Sequence, residues 1–382
     1  MLNSRMSRRT FVQRGAAGVT MLSLPGLLAA CGGGGGESGS TEVKDVLNFS
    51  NWPLYIDYDE KTKKRPSLDE FTAQTGIKVN YFEDINDNSS YFAKVQGPLS
   101  QGQSIDRDIF VFTDNSRYPQ LLVSKEWVEP LQKDKIPNFS NLIDAQLSPS
   151  FDPDRTFSLP WQSGMTGIAY NEDVTGPVTS IDQLLGDTAL KGKVTMLTEM
   201  ADSVGLVMLE NGDDPSVVTD ETFNAAVDRI QKAVDDGQIR RFTGNDYAQP
   251  LTKGDLAAAV AWSGDVVQLL ASNPKLKWVV PDKGAMIWTD NMLVPLGGSS
   301  ATASTFMNFV YDPKIAAQIA AYVNYVTPVK GAKEELAKTD PETAANPLIF
   351  PTDEMLAEVH GFSGDALNNP TYIEAWQKVL GA

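Results

Sequence analysis

Apolar and polar positions in the first part of the chain form short runs of the kind that make strands and helices. Residues 46–49 predict a strand, and the alternation of apolar with polar side chains at residues 77–81 predicts a second strand. Between them, Ser67 and Glu70 have the spacing of a capping box, and Gly76 follows as a helix stop. The order strand, helix, strand is therefore expected after the N-terminal segment.

Further apolar runs extend this alternation along the chain. Residues 108–112 are continuously apolar after the first position, which predicts a buried parallel strand and completes a first α/β lobe. Residues 194–197 and 257–262 predict strands of a second α/β lobe, and helical spacing at residues 223–234, followed by Gly237, predicts a helix and its end. No linker separates the lobes, which favours a chain that crosses between them more than once.

The N-terminal segment has the properties of an export signal. Residues 1–30 contain no Asp or Glu, and four arginines precede an apolar run at residues 15–30 that is short for a membrane span. Residues 7–12 resemble a twin-arginine export motif. We therefore predict that residues 1–30 are a signal peptide.

The single cysteine of the chain, Cys31, follows this segment. Residues 28–31 resemble a bacterial lipobox, in which the cysteine is lipidated and becomes the mature N-terminus. Residues 31–42 then form a Gly/Ser-rich tether, which would hold an exported body at the outer face of the cytoplasmic membrane. The alternative is a chance cysteine in an apolar tail.

Composition removes several classes of function. The chain of 382 residues has 32 Lys and Arg against 49 Asp and Glu, a net charge of −17, whereas nucleic-acid binding needs a basic face. One cysteine excludes an intrachain disulfide and a Cys-rich zinc site, and one histidine, His360, excludes a multi-His metal site. We therefore predict no nucleic-acid partner, no metal and no cofactor, and much of ordinary enzyme chemistry is removed.

The residues that indicate a ligand are aromatic and acidic side chains placed after predicted strands. In open α/β sheets, ligands bind outside the carboxyl ends of the strands. The candidate ligand-binding residues are Trp52, Tyr55, Asp114, Glu199, Asp202, Trp262, Trp288 and Asp290.

Trp288 and Asp290 form the most informative pair. They are two positions apart, so on a strand they project to the same face. An indole ring beside a carboxylate suits an alkylammonium group, because the ring packs on methylenes and the carboxylate binds the charge.

Other interpretations of the same residues stay open at this point. A tryptophan near a strand end is often part of the core, and Asp202 and Asp265 are also placed where helix N-caps occur. Glu199 and Asp202 are also spaced as a catalytic carboxylate pair of a hydrolase would allow.

Several strings along the chain are similar to those of one protein family. They are Asn51-Trp52-x-x-Tyr55, Thr75-Gly76-Ile77-Lys78-Val79, Asn138-Phe139-Ser140-Asn141-Leu142, Gly164-x-Thr166-Gly167-Ile168 and Gly284-Ala285-Met286-Ile287-Trp288-x-Asp290. From about Val43 to its C-terminus the chain resembles the spermidine/putrescine-binding proteins of bacterial ABC importers.

The resemblance implies a fold and a division of the chain. The fold would be the two-lobe α/β fold of type II periplasmic binding proteins, with two segments crossing between the lobes. Residues 43–162 would form the first part of lobe 1, residues 163–290 lobe 2, and residues 291–382 the completion of lobe 1 with C-terminal helices.

The resemblance also implies a function without catalysis. A monomeric, lipid-anchored protein would capture putrescine or spermidine and deliver it to a membrane permease. By this resemblance, Trp52, Tyr55, Trp262 and Trp288 line the ligand slot, and Asp290 binds an amine.

The chain departs from the family pattern in two places. It has Thr113-Asp114-Asn115 where the spermidine binders have a Ser/Thr–Tyr region, so Asp114 is either a replacement ligand or a loop residue. The acidic pair Glu199 and Asp202 is offset by about one position. Another amine or small solute on the same fold, a carboxylate-pair hydrolase and a structural surface lipoprotein therefore remain alternatives.

Overall fold

The computed structural model describes residues 41–270 and 272–381. The predicted signal peptide, Cys31 and the tether up to residue 40 lie outside the described residues. The strands of the described part are β1 (Val46–Asn51), β2 (Lys78–Glu83), β3 (Phe110–Thr113), β4 (Ser158–Asn171), β5 (Val194–Leu197), β6 (Ile239–Thr243), β7 (Ala258–Trp262), β8 (Leu276–Val279), β9 (Ala285–Leu293) and β10 (Val359–His360).

Helices alternate with these strands through most of the chain. The α-helices are α1 (Pro66–Thr75), α2 (Asn88–Ser100), α3 (Tyr118–Ser124), α4 (Ile181–Gly186), α5 (Met200–Asn211), α6 (Asp220–Asp235), α7 (Ala248–Lys253), α8 (Ser263–Leu269), α9 (Ser300–Val310), α10 (Pro313–Val323), α11 (Ala332–Ala337), α12 (Pro341–Ala344), α13 (Asp353–Leu356), α14 (Gly364–Leu367) and α15 (Pro370–Leu380). Short 3₁₀ helices are Lys133–Lys135, Pro137–Asn141, Asp144–Gln146, Thr188–Leu190 and Asn245–Tyr247.

Two long strands, β4 and β9, join the two lobes of this α/β fold. The first lobe is built around β1, β2 and β3: β1 pairs in parallel with β2, and β3 pairs with β9. The second lobe is built around β5, β6, β7 and β8, with β7 and β8 pairing with the later part of β4 and β5 pairing with β6 and β7. β4 and β9 pair with each other and extend into both lobes, so the prediction of two crossing segments is confirmed.

The lobe boundaries predicted at residues 162–163 and 290–291 fall inside β4 and β9, and they stay a prediction. The C-terminal helix α15 contacts the second lobe, because Tyr372 stacks on Phe223 of α6 with ring centroids 4.0 Å apart. The last part of the segment assigned to the first lobe therefore packs against the second. Within the described residues, no helix is both long and apolar enough to cross a bilayer.

The structure confirms the first predicted helix but not its capping box. Helix α1 ends before Gly76, whose φ is 77°, as predicted. It begins at Pro66, so Ser67 lies inside the helix, and Arg65 occupies the N-cap position. Instead of capping the helix, Ser67 donates hydrogen bonds from its backbone N–H and its hydroxyl to the carboxylate of Asp57.

The other strand and helix predictions hold. β3 is buried along its length, and the residues before it meet β1 in parallel through a bridge between Phe49 and Ile109, as predicted, but β3 itself pairs antiparallel with β9. An apolar run reports burial and not strand direction, which depends on distant pairing. Helix α6 ends at Asp235, two residues before Gly237, whose φ is 70°, in agreement with the prediction.

Candidate ligand-binding site

A cavity lies between the two lobes, with about 330 Å³ of space between protein atoms, part of it open to solvent. It is lined by Trp52, Pro53, Tyr55, Thr113, Asn115, Glu199, Asp202, Asn245, Trp262, Asp265, Trp288, Asp290 and Tyr325. Seven of the eight predicted site residues are in this set, and Asp114 is not.

Strand ends bring these residues together from distant parts of the chain. Trp52 follows β1, Thr113 ends β3, and Trp262 ends β7. Trp288 and Asp290 both lie on β9 and both line the cavity, which confirms that they share one face of that strand.

Aromatic rings form a connected series along the cavity wall. The ring centroids of Trp52 and Trp262 are 5.7 Å apart, and those of Trp262 and Trp288 are 6.2 Å apart. The series continues from Trp288 to Tyr325 at 5.6 Å and from Tyr325 to Tyr55 at 5.0 Å. These distances and the mostly edge-to-face angles are those that aromatic pairs prefer, so the rings hold one another in a defined wall.

A glycine makes room for the central ring of this wall. Gly164 of β4 is paired with Trp288 of β9, and a Cβ atom at residue 164 would lie 2.5 Å from Cζ2 of that indole. The indole Nε1 donates to Oγ1 of Thr166 at 2.9 Å, which fixes the ring orientation. The backbone of β4 and one hydroxyl therefore place Trp288.

Asp290 is held by two hydroxyl groups of the first lobe. Its carboxylate accepts hydrogen bonds from the hydroxyl of Tyr55 and from Oγ1 of Thr113, each 2.7 Å long. Burial raises the pKa of Asp290 to about 7, although both hydrogen bonds oppose this rise. A cation in the cavity would favour the ionised form.

Asp202 is held by three donors. They are Nδ2 of Asn115 at 2.9 Å, Oγ1 of Thr166 at 2.9 Å and Nε1 of Trp262 at 3.1 Å. Burial raises the pKa of Asp202 to about 6, against the effect of these bonds. Asp202 is the third residue of α5, whose N-cap is Glu199, so the alternative that Asp202 is a helix N-cap is wrong.

Glu199 is bound by one residue of the first lobe. Its Oε1 accepts from the backbone N–H and from Nδ2 of Asn88, each at 3.0 Å. Burial raises the pKa of Glu199 to about 8, and the charges of Asp87 and Asp202 add to the rise. Of Glu199, Asp202 and Asp290, Glu199 is therefore the carboxyl group that keeps its proton to the highest pH.

A fourth carboxylate, Asp265, follows the strand that ends at Trp262 but was not among the predicted ligand-binding residues; the alternative interpretation was a helix N-cap. It is the third residue of α8, whose N-cap is Trp262, so that interpretation is wrong. Asp265 accepts from the hydroxyl of Tyr325 at 2.7 Å, from the hydroxyl of Tyr247 at 2.8 Å and from Nδ2 of Asn245 at 2.7 Å. Burial raises its pKa.

A protein-family model described as bacterial extracellular solute-binding protein matches residues 67–351. The chain belongs to this family. The match covers most of the chain, including β3, β7 and β9, while Trp52 and Tyr55 precede it.

Curated relatives of this solute-binding protein include two from Escherichia coli. A putrescine-binding periplasmic protein is 29% identical over 358 residues, covering 87% of this chain and 91% of the relative. A spermidine/putrescine-binding periplasmic protein is 24% identical over 348 residues, covering 90% of this chain and 94% of the relative.

Solved structures agree on the fold of this solute-binding protein. A putative spermidine/putrescine ABC transporter protein from Listeria monocytogenes has a TM-score of 0.73 at 23% identity, covering 88% of this chain and 98% of that chain. A spermidine/putrescine ABC transporter substrate-binding protein from Streptococcus pneumoniae has a TM-score of 0.68 at 26% identity, covering 87% and 98%. The fold is the two-lobe type II periplasmic-binding-protein fold, as predicted.

Asp114 of the solute-binding protein lies beside the cavity wall and not on it. Its Oδ1 accepts from the backbone N–H of Thr289 at 2.8 Å, and its own N–H donates to the carbonyl of Thr289 at 2.9 Å. Burial raises its pKa to about 6. These contacts tie the loop after β3 to β9 next to Asp290, which is a structural role.

Six lining residues of the solute-binding protein were not among the predicted ligand-binding residues: Pro53, Thr113, Asn115, Asn245, Asp265 and Tyr325. Tyr325 follows α10 and Asn245 follows β6, where no motif signals a site. Asp265 lies three residues after Trp262, and this spacing is the one signal that could have identified it. Thr113 and Asn115 flank Asp114 in the tripeptide singled out above, and it is these neighbours that line the cavity.

The charge of the cavity decides what kind of solute it suits. Four carboxyl groups line it, and no Lys, Arg or His is among the lining residues in the part of the chain that the structure describes. Among the same described residues, no group of three or more His, Cys, Asp or Glu is arranged to hold a metal ion. The arrangement therefore suits an organic cation with apolar parts.

Proposed function

We propose that the protein captures linear polyamines, with putrescine and spermidine as the first candidates, and delivers them to the permease of an ABC importer. The observation that carries this proposal is a buried cavity with four carboxyl groups, a wall of aromatic rings and no cationic side chain among its described lining residues. The names of the relatives support the same solute class.

The chemistry of the wall and the carboxylates is complementary to such a ligand. Ammonium groups of a polyamine are protonated at neutral pH, much as a lysine side chain is. Asp290, Asp202, Asp265 and Glu199 would bind these groups, and the rings of Trp262 and Trp288 would pack on the methylenes between them. A cation–π contact contributes about 0.5–2 kcal/mol and a charge-assisted hydrogen bond about 1.5–3 kcal/mol.

These contributions offset the cost of association. The expected dissociation constant is in the micromolar range, which corresponds to a binding free energy of about −8 kcal/mol. Closure of the two lobes would bury the ligand, and the closed form would be the one that the permease recognises. No covalent step is part of this function, so we propose that Glu199 and Asp202 bind solute and do not act as a hydrolase pair.

We further propose that the protein is exported and lipid-anchored at Cys31, on the outer face of the cytoplasmic membrane, and acts as a monomer. The support is the arginine-containing segment at residues 1–30 and the lipobox-like residues 28–31. Metabolic labelling with a fatty-acid analogue tests this: Cys31→Ser is expected to lose the label and to be released from the membrane.

Calorimetry on the purified protein tests the solute. We expect putrescine or spermidine to bind with micromolar or tighter affinity, and GABA and neutral sugars not to bind. Asp290→Asn is expected to weaken polyamine binding by about 10- to 100-fold, from the strength of a charge-assisted hydrogen bond. Asp134→Asn, at an exposed aspartate outside the cavity, is the matched control. Binding of an unrelated solute with no polyamine binding would overturn the proposal.

A further inference from the structure

Two asparagines of the cavity are oriented by neighbouring carboxylates. Nδ2 of Asn115 donates to Oδ1 of Asp202 at 2.9 Å, and Nδ2 of Asn245 donates to Oδ2 of Asp265 at 2.7 Å. An ionised carboxylate only accepts hydrogen bonds, so the amide nitrogen must face it. The amide oxygen of each asparagine is thereby turned away from the carboxylate.

Both amide oxygens are buried acceptors to which no protein group in the described part of the chain donates a hydrogen bond. Oδ1 of Asn115 and Oδ1 of Asn245 have no hydrogen-bond partner among residues 41–270 and 272–381. Asn115 is only 7% exposed, and Asn115 and Asn245 both line the cavity. A buried acceptor without a donor is unfavourable, so these two atoms indicate that a ligand supplies N–H groups.

The carboxylates alone have limited capacity for those N–H groups. Asp202 and Asp265 each accept three hydrogen bonds from described residues, and Asp290 and Glu199 each accept two. A carboxylate offers about four acceptor positions. Asp202 and Asp265 are therefore nearly saturated by the protein, and the adjacent amide oxygens are the least occupied acceptors.

We propose that Asn115 and Asn245 bind the ligand directly through Oδ1 and make the site specific for amines that carry several N–H groups, that is, unsubstituted ammonium ends. This inference rests on the proposed function and defines its solute class further. Each Asp–Asn pair, Asp202 with Asn115 and Asp265 with Asn245, presents a charged and a neutral acceptor side by side.

The inference separates two classes of cation that the aromatic wall alone would accept. A box of rings with a carboxylate also suits N,N-dimethylated and quaternary ammonium groups. Such groups have one N–H or none, and the carboxylate takes a single N–H, so both amide oxygens would stay buried and unpaired. These methylated amines are therefore expected to be rejected although their charge is the same.

The test compares putrescine with N,N,N′,N′-tetramethylputrescine, which keeps the two charges and the four-carbon chain but has one N–H at each end. Calorimetry on the wild-type protein is expected to show binding of putrescine about 100-fold tighter than binding of the methylated diamine. This comparison needs no variant, so it does not depend on the folding of one.

Two variants assign the effect to the asparagines. Asn115→Ala and Asn245→Ala are each expected to weaken putrescine binding about 10-fold and to change binding of the methylated diamine by less than about threefold. Asn80→Ala, an exposed asparagine outside the cavity, is the control and should change neither. If the asparagines only support Asp202 and Asp265, both diamines lose affinity by the same factor.

Equal losses for the two diamines, or equal affinities in the wild-type protein, would overturn this inference and leave polyamine capture intact. Failure of the wild-type protein to bind either diamine would instead overturn the proposed function, and the inference with it.

Discussion

Glu199 and Asn88 are joined by two hydrogen bonds, since one carboxylate oxygen accepts both the backbone N–H and the side-chain Nδ2 of Asn88 at 3.0 Å each. Asn88 begins α2 of the first lobe, and Glu199 is the N-cap of α5 of the second. Asn88 also donates to Oγ1 of Thr113 at 3.0 Å, and Thr113 donates to Asp290. Two cavity carboxylates are thus connected through a residue that does not line the cavity.

Removal of this connection should weaken ligand retention. Asn88→Ala is expected to lower putrescine affinity about 10-fold, because the side-chain hydrogen bond from Nδ2 to the carboxylate of Glu199 across the lobes is lost, while the backbone N–H of residue 88 keeps its own. The loss should lie mainly in faster dissociation, since the bonds form when the lobes are together. Stopped-flow tryptophan fluorescence measures both rates. Asn80→Ala serves as the control, and a change confined to the association rate would contradict this explanation.

Polyamine affinity is expected to increase as the pH is raised from about 5.5 to about 8. Burial raises the pKa of Asp290 to about 7 and that of Glu199 to about 8, so protons compete with the ligand's ammonium groups in this range. Binding at neutral pH should therefore release protons. Calorimetry in buffers of different ionisation enthalpy counts them.

Glu199→Gln removes the group that titrates highest, so this variant should release fewer protons and show a flatter dependence of affinity on pH above about 7. Asp134→Asn should behave as the wild-type protein does. An affinity that falls steadily over the same pH range would show that ionisation of these carboxyl groups does not control binding.

Local sequence patterns predicted five strands and two helices of the fold because helix stops, apolar runs and strand alternation depend on neighbouring residues. Trp288 and Asp290 were predicted to share a face because both lie on one strand, where the two-residue repeat is a backbone property. Ser67 was misplaced because its partner, Asp57, lies outside the local pattern.

The rest of the site depends on long-range contacts. Asp265 and Tyr325 are 60 positions apart and meet only in the folded chain. Asn88 was not identified because its role depends on Glu199, 111 positions away in another lobe. The antiparallel pairing of β3 with β9 was not predicted for the same reason, since β9 lies far along the chain.

The ligand-free protein is expected to lose stability as the pH rises from about 5 to about 8. The pKa values of Asp202, Asp290 and Glu199 are raised by burial to about 6, 7 and 8, so in this range the folded state holds more protons than the unfolded state. The free energy of unfolding therefore decreases with pH until the folded-state pKa values are passed.

Thermal melts across this range, with and without putrescine, measure the effect. Putrescine should raise the melting temperature more at pH 8 than at pH 5.5, because it binds the ionised carboxylates. Asp290→Asn should flatten the decline in the ligand-free protein. A melting temperature that rises with pH in the absence of ligand would contradict the assignment.

Gly244 allows the loop after β6 to approach the loop before α2, and a side chain there should hinder closure of the lobes. A Cβ atom at residue 244 would lie 2.2 Å from the carbonyl oxygen of Asn86. Gly244→Ala is therefore expected to weaken putrescine binding about 10-fold, as overpacking of a close contact does. The ligand-free melting temperature should change little, because the contact joins the two lobes and is not inside either.

Gly176→Ala, where a Cβ atom meets nothing within 4 Å, is the control. Unchanged affinity in Gly244→Ala would mean that this contact plays no part in ligand binding.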